Sequence, residues 1–302
     1  MAKVVLLTAA KRLSAEFGYS KLQLREAIPY IREFQDKTMV VKVGGSILDD
    51  DADSRPFLED IVFMKQIGIS VVLVHGGSRD LSSRMAEEGI KPRMMDGERY
   101  TDRRTLELAV EVFNKINRQL VTSIKDLGGQ ALGFPAGGQA LIQAERKGDD
   151  QGNFVGRVTR VDVERLQSLK PEYIPIATCI GTGASRQLYN INADEVASKI
   201  ACALRAEKLI LLTNVDGVVD AEGQLISTLT HRRTKQLLKA GIIQSGMRPK
   251  VRVCLEALQS GVQKTHIING VKPGSILCEV LTDSGVGTEI VMTKRRVAKK
   301  HA

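Results

Sequence analysis

The chain has 302 residues, 43% of them hydrophobic and 4% aromatic, with a formal charge of +9, enough apolar material for one large α/β unit or two fused lobes. No apolar run approaches the roughly 20 residues that cross a bilayer, and the opening MAKVVLLTAAKRLSAEFG is too short and too soon charged for a signal peptide, so a cytoplasmic protein with no membrane association is expected. The basic residues are spread along the chain apart from the tail between Lys294 and Lys300, so the charge does not point to nucleic acid. Cys179, Cys202, Cys254 and Cys278 stand far apart in apolar stretches, which excludes a CxxC metal site and a disulfide framework and predicts buried, reduced thiols.

In chain order, the first element expected is an amphipathic helix from Leu22 to Phe34, whose apolar face of Leu24, Ile28, Ile31 and Phe34 needs a cover, either a partner subunit or its own domain. Strands follow at Met39 to Val43 and Ser70 to Val74. The clearest helix runs from Arg104 to Leu127, with Asn117 as the one polar member of its apolar stripe and Gly128 placed to end it. Further strands are expected at Gln130 to Gly133, Tyr173 to Ile180, Lys208 to Thr213 and Lys264 to Ile268, with a loop or hairpin tip at Asp149 to Gly156 and a helix at Asp194 to Arg205. Short strands rich in β-branched residues and leucine, alternating with helices, predict a mostly parallel central sheet covered on both faces, an αβα sandwich in two lobes. The expected division is an N-terminal helical extension over 1–37, one lobe over 38–179 and a second over 180–302.

Five motifs carry the chemistry. In VVKVGGS a buried strand delivers Lys42 into the Gly44–Gly45 turn, where backbone N–H groups can approach phosphate oxygens and the lysine supplies a point charge. A lysine inside an apolar strand is costly unless an anion meets it. In VLVHGGS a second strand empties into Gly76, Gly77 and Ser78, a nest suited to a carboxylate or a phosphate, with His75 expected to be structural. Two such turns at one edge of a parallel sheet face a common crevice. DGERYTD offers Arg99 as a bidentate clamp for a carboxylate. LYNINADEVA places Asn190, Asn192 and Asp194 at the opening of a helix, one of them as its N-cap. SGMRPKV presents Lys250 from a turn shaped by Gly246 and Pro249.

Together these motifs describe phosphoryl transfer to a carboxylate. Such an acceptor is already ionised near pH 7, so the chain needs no general base and its four histidines are no obstacle. Catalysis then consists of holding two anions in line and neutralising growing charge with lysines, backbone amides and Mg²⁺. An aspartate between two lysines would keep both ionised and aimed, a division of labour that fits Lys42, Lys250 and Asp194.

In collinear order from about Glu26 to Ile290, KVGGS, VHGGS, DGERYTD, YNINAD, LLTNVDGV and SGMRPKV resemble the amino-acid kinase family, and within it the branch that phosphorylates N-acetylglutamate. The resemblance implies an ATP- and Mg²⁺-dependent enzyme of arginine biosynthesis, with a small-molecule substrate and a homo-oligomeric assembly, dimer or hexamer. By position, Lys42 and Lys250 resemble the charge-stabilising lysines and Asp194 their organiser. Gly76, Gly77, Ser78, Arg99 and Asn190 resemble the acyl-glutamate site, and Gly44, Gly45, Thr213 and Asn214 the nucleotide side. REAIPYIREF is similar to the interlacing helix of arginine-inhibited hexamers, which implies an inhibitor site at Tyr30, Glu279 and Gly287.

The chain departs from the family pattern near its binding surfaces. Ser78 replaces the third glycine of HGGG and is followed by Arg79 and Asp80, FPAGGQA lacks the lysine and aspartate of GKDG, and Asn214 replaces an aspartate. Two alternatives therefore accompany the principal expectation. One is a kinase of acetylaminoadipate or its carrier-linked form; the other is a regulatory, arginine-binding subunit without turnover, against which the presence of both Lys42 and Lys250 speaks.

Overall fold

The computed structural model describes residues 21–48, 51–95, 97–138, 140–243 and 246–293. The start of the expected N-terminal extension, Asp96, Gln139, Ser245 and the basic tail lie outside the described residues. Helix α1 spans Lys21–Phe34, followed by β1 (Thr38–Val43), α2 (Gly45–Leu48), α3 (Asp51–Gln66), β2 (Ser70–His75), α4 (Ser78–Glu87), β3 (Met94–Met95), β4 (Glu98–Arg99), α5 (Arg103–Asp126) and β5 (Gln130–Phe134). The middle of the chain holds β6 (Ile142–Arg146), β7 (Gly156–Val161), α6 (Val163–Gln167), β8 (Tyr173–Ala177), β9 (Ile180–Thr182), β10 (Leu188–Asn190), α7 (Ala193–Ala203) and β11 (Lys208–Thr213). The last elements are β12 (Thr228–Thr230), α8 (His231–Lys239), α9 (Arg248–Gln259), β13 (Lys264–Asn269), α10 (Ser275–Leu281) and β14 (Thr288–Val291).

One eight-stranded sheet in the order β12-β14-β13-β11-β1-β2-β8-β5 runs through the molecule. Its pairings are parallel except β13 with β14. Every residue of β1 after Thr38 is buried, so helices cover both faces, as a parallel sheet requires. Strand β1 lies at the centre: Lys42 is level with Val74 of β2 and Leu211 of β11. The carboxyl ends of these three strands therefore open side by side, and the Gly44–Gly45 and Gly76–Gly77 turns stand at that edge.

A second, four-stranded sheet, β10-β9-β6-β7, was not expected from the sequence. Its strands are short and half-exposed, with polar stretches such as IQAER and GRVTRV that carry no apolar run. It also corrects the strand expected from Tyr173 to Ile180, which leaves the main sheet after Ala177 and resumes as β9 in the second sheet. The expected hairpin tip holds, since β6 and β7 pair antiparallel around residues 147–155.

Helix α1 packs on its own chain. Ala27 and Phe34 are buried, Tyr30 and Ile31 are half-buried against the core, and the Tyr30 hydroxyl bonds the Asp283 carboxylate. The apolar face is thus rotated from the expected one, leaving Ile28 exposed. Cys179 and Cys254 are buried while Cys202 and Cys278 are only partly so, and all four are free thiols. Asn117, the one polar member of the apolar stripe on α5, is buried: its amide donates to the Ile176 carbonyl at 3.0 Å and lies 3.2 Å from His75 Nε2. Among the described residues no helix is long and apolar enough to cross a membrane.

Candidate active site

Three elements converge beyond the end of β1. Lys42 is placed on the central strand and is only 7% exposed, unlike an edge-strand lysine. Asp194 stands in the first turn of α7, where Asn192 is the N-cap and accepts the Asp194 N–H at 2.9 Å. Lys250 occupies the first turn of α9 behind Pro249, so the SGMRPKV segment is a helix start rather than a free turn. Lys42 Nζ lies 2.9 Å from Asp194 Oδ1 and Lys250 Nζ 2.8 Å from Asp194 Oδ2, one carboxylate gripped from two sides.

The electrostatics favour this ion triad staying charged. Burial by itself would raise the Asp194 pKa, but Lys42 and Lys250 overrule it and hold the carboxyl well below the usual carboxylate range. The carboxylate also gains from the dipole at the start of α7. Lys250, by contrast, sits in the first turn of α9, where the helix dipole disfavours a cation. Its position is explained by Asp194 and by whatever anion meets it, not by helix stability.

Two cavities open at this triad. The first, about 260 Å³, is lined by Gly76, Gly77, Ser78, Arg99 and Asn190, together with Gly45 and Cys179. The second, about 430 Å³, has apolar walls that include Leu212, Val218, Ile242 and Met247, and is also lined by Thr213 and Asn214. Lys42, Gly44 and Lys250 line both, so the two spaces meet at the two ammonium groups. A Cβ on Gly44 would stand 3.2 Å from Lys42 Nζ, so glycine keeps that junction open.

The expected substrate-side residues thus share one cavity. Thr213 and Asn214 face the other, and Gly45, anticipated on the nucleotide side, lines the first. Arg99 is half-buried, and desolvation draws its pKa below the usual guanidinium range. Tyr30, Glu279 and Gly287 line neither cavity. Glu279 is buried and accepts from Val286 N–H at 2.7 Å, Gly287 N–H at 2.9 Å and His266 Nδ1 at 2.7 Å.

His75 does not line either cavity. It is buried beneath the glycine turn, with Nδ1 2.9 Å from the Gly76 carbonyl oxygen, and burial pushes its pKa down to about 4, so the ring is neutral at pH 7. The second glycine of this turn is a packing requirement. A Cβ on Gly77 would lie 2.6 Å from Ile116 Cδ1 and 2.8 Å from the Phe113 ring, whereas one on Gly76 would meet Ala193 Cβ at 3.6 Å. Gly77→Ala is therefore expected to cost about 1–3 kcal/mol in urea unfolding, and Gly76→Ala much less; equal losses would contradict this contact.

Sequence reasoning missed Cys179, Met94 and Gly97 on the first cavity and most of the apolar wall of the second. That wall also includes Val215 and Val219, in the loop after β11, which remain 45% and 38% exposed.

The amino acid kinase family model matches residues 37–269. A protein named acetylglutamate kinase from Desulforamulus reducens is 42% identical over 275 residues, covering 89% of this chain and 96% of its own length. One of the same name from Syntrophus aciditrophicus is 39% identical over 283 residues, with the same coverage of 89% and 96%. The solved N-acetylglutamate synthase of Neisseria gonorrhoeae, complexed with coenzyme A and N-acetyl-glutamate, superimposes with a TM-score of 0.83 at 26% identity over 92% of this chain; the chain spans 65% of that synthase. The family model, which spans most of the chain, and relatives of about 40% identity show the same thing: this chain belongs to the amino acid kinase family.

Proposed function

We propose that this protein transfers the γ-phosphoryl group of ATP to the side-chain carboxylate of N-acetyl-L-glutamate, a step of arginine biosynthesis in the cytoplasm. The observation that carries the reading is the meeting of two cavities at Lys42, Gly44 and Lys250. A polar one suits an acyl amino acid and an apolar one suits a nucleotide base and ribose. The relatives named acetylglutamate kinase support the choice of acceptor.

In this mechanism a carboxylate oxygen attacks the γ-phosphorus in line as the bond from phosphorus to the β,γ-bridging oxygen breaks, giving the acyl phosphate and ADP. No proton moves, so no base is needed. Lys42 neutralises charge on the transferring group from the β1 side and Lys250 from the α9 side, where ADP leaves. Asp194 holds both ammonium groups in place. Arg99 and Asn190 hold the acyl amino acid, and the Gly44 and Gly76–Ser78 turns offer backbone N–H groups. Residues 38–179 thus serve the acceptor and 180–302 mainly the nucleotide.

Among the described residues no group of three His, Cys, Asp or Glu side chains could ligate a metal, and Asp194 is engaged by the lysines. That donor set fits a Mg²⁺ ion carried on the nucleotide's phosphate oxygens, as is common for this ion. When bound it supplies further charge neutralisation on the phosphates. A homo-oligomer and an arginine site at Tyr30, Glu279 and Gly287 complete the reading. In its support, a synthase of this fold was solved with L-arginine, at a TM-score of 0.80 and 25% identity. The chain itself places Tyr30 on Asp283 and Glu279 under the same 282–287 loop.

The test is coupled ADP release with N-acetylglutamate, N-acetylaminoadipate, N-acetylaspartate and glutamate as acceptors, each with and without arginine. Turnover greatest with N-acetylglutamate is expected; release with none of them would overturn the kinase reading. In the same assay Arg99→Ala should raise the KM for N-acetylglutamate about tenfold to a hundredfold, as loss of a charged hydrogen-bonded clamp does, with the KM for ATP unmoved.

A further inference from the structure

Helix α4 presents Ser78, Ser82 and Met85 at positions i, i+4 and i+7, a single stripe of one helical face. Arg99 lies along that stripe. Its Nη2 donates to the Ser82 hydroxyl oxygen at 2.6 Å, to the Ser78 carbonyl at 2.9 Å and to the Ser78 hydroxyl at 3.1 Å, and its Nη1 reaches Met85 Sδ at 3.2 Å. The Ser82 hydroxyl in turn donates to the Ser78 carbonyl at 2.9 Å. That bond spends the hydroxyl proton on the backbone and leaves the Ser82 oxygen as an acceptor aimed at the guanidinium.

None of the acceptors found for Arg99 among the described residues is a carboxylate. The guanidinium is therefore pinned by neutral groups while its charge stays available to an anionic ligand in the cavity it lines. Pinning matters because an arginine side chain loses much rotamer freedom when ordered, a cost met here before any ligand binds. It also fixes the position of the clamp relative to Lys42 and Lys250, which line the same cavity. A clamp that cannot slide selects ligands by the spacing of their two carboxylates.

We infer that Ser82, which does not itself line the cavity, is a positioning residue that sets the acceptor's chain length by locking Arg99 against α4. This rests on the acyl amino acid kinase reading above, and it concerns which dicarboxylate spacing the site accepts. Ser82→Thr keeps a hydroxyl that can bond the i−4 carbonyl in a helix and should behave as the wild type. Ser82→Ala removes the acceptor.

The test is steady-state kinetics of wild type, Ser82→Ala and Ser82→Thr with N-acetylglutamate, N-acetylaspartate and N-acetylaminoadipate, with melting temperatures alongside. Loss of one hydrogen bond to a charged group predicts about a tenfold rise in the KM for N-acetylglutamate in Ser82→Ala. It also predicts a fall of similar size in the kcat/KM preference for that acceptor over the shorter and longer ones. The kcat, the KM for ATP and the Tm should stay near wild type, and Ser82→Thr should restore both KM and preference. Unchanged KM and preference in Ser82→Ala, a parallel rise in both substrates' KM, or a threonine variant as impaired as the alanine one would each overturn the inference. A wild type active on N-acetylglutamate with an indifferent Ser82→Ala defeats this inference alone. A wild type inactive on all three acceptors defeats the functional reading and the inference together.

Discussion

Asp194→Asn is expected to reduce kcat by about 10²–10³ and to destabilise the fold by about 3 kcal/mol, the lower end for breaking a buried ion pair, because Lys250 retains some exposure. The two ammonium groups now face each other across a neutral amide, with their side chains 9% and 23% exposed. Like charges that close push each other out of line, so the site loses both aim and charge. The change in shape is minimal, because asparagine matches aspartate atom for atom and can still be capped by Asn192.

The pH dependence separates this electrostatic role from packing. In the folded protein the two lysines depress the Asp194 pKa. Its contribution to stability is therefore fully present above the unfolded carboxyl value of about 3.9 and disappears as the pH falls through the lower folded value. In urea unfolding at pH 7 the wild type should exceed Asp194→Asn by the stated amount, and the gap should narrow once the pH drops below about 4. Parallel stability curves down to pH 2.5 would contradict the triad as drawn.

Lys250→Ala carries the second large effect: a kcat about 10²–10³ lower, as for removal of a charge-stabilising donor, with both KM values changed only a few-fold. A group whose interaction grows as charge moves to the leaving oxygen acts on the transition state far more than on bound ATP. The substitution should cost less stability than Asp194→Asn, because Lys42 still meets the carboxylate. Lys250 is the more exposed lysine, and alanine suits the first turn of α9, where a cation opposes the helix dipole. An unchanged kcat would remove Lys250 from the chemistry.

Much of this site was legible because its parts are local in sequence. Lys42 with its glycine turn, the Gly76–Gly77 turn and the Asn192-capped start of α7 each announce a strand end or a helix start, and a parallel sheet brings such ends to one edge. What was illegible is non-local or faintly patterned. The second sheet offers short polar strands with no periodic signal. The nucleotide-side wall joins Leu212 to Ile242 and Met247, residues that nothing in the sequence ties together. Ser78 illustrates the difference. From the sequence it is only a missing glycine, whereas in the fold its carbonyl and hydroxyl are half of the seat for Arg99. The N-terminal helix was placed correctly along the chain, but its buried face was not, because Ala27 and Tyr30 seat against the core while Ile28 points away.

The central claim is that a carboxylate in the first cavity receives the phosphoryl group directly at the Lys42–Lys250 junction. Hydroxylamine trapping tests it most directly, since an acyl phosphate is converted to a hydroxamate and other phosphoryl products are not. With ATP, Mg²⁺, N-acetylglutamate and hydroxylamine, the wild type should form the side-chain hydroxamate in step with ADP, and Lys250→Ala should form both far more slowly. ADP released without hydroxamate would show transfer to water instead, and would contradict the account.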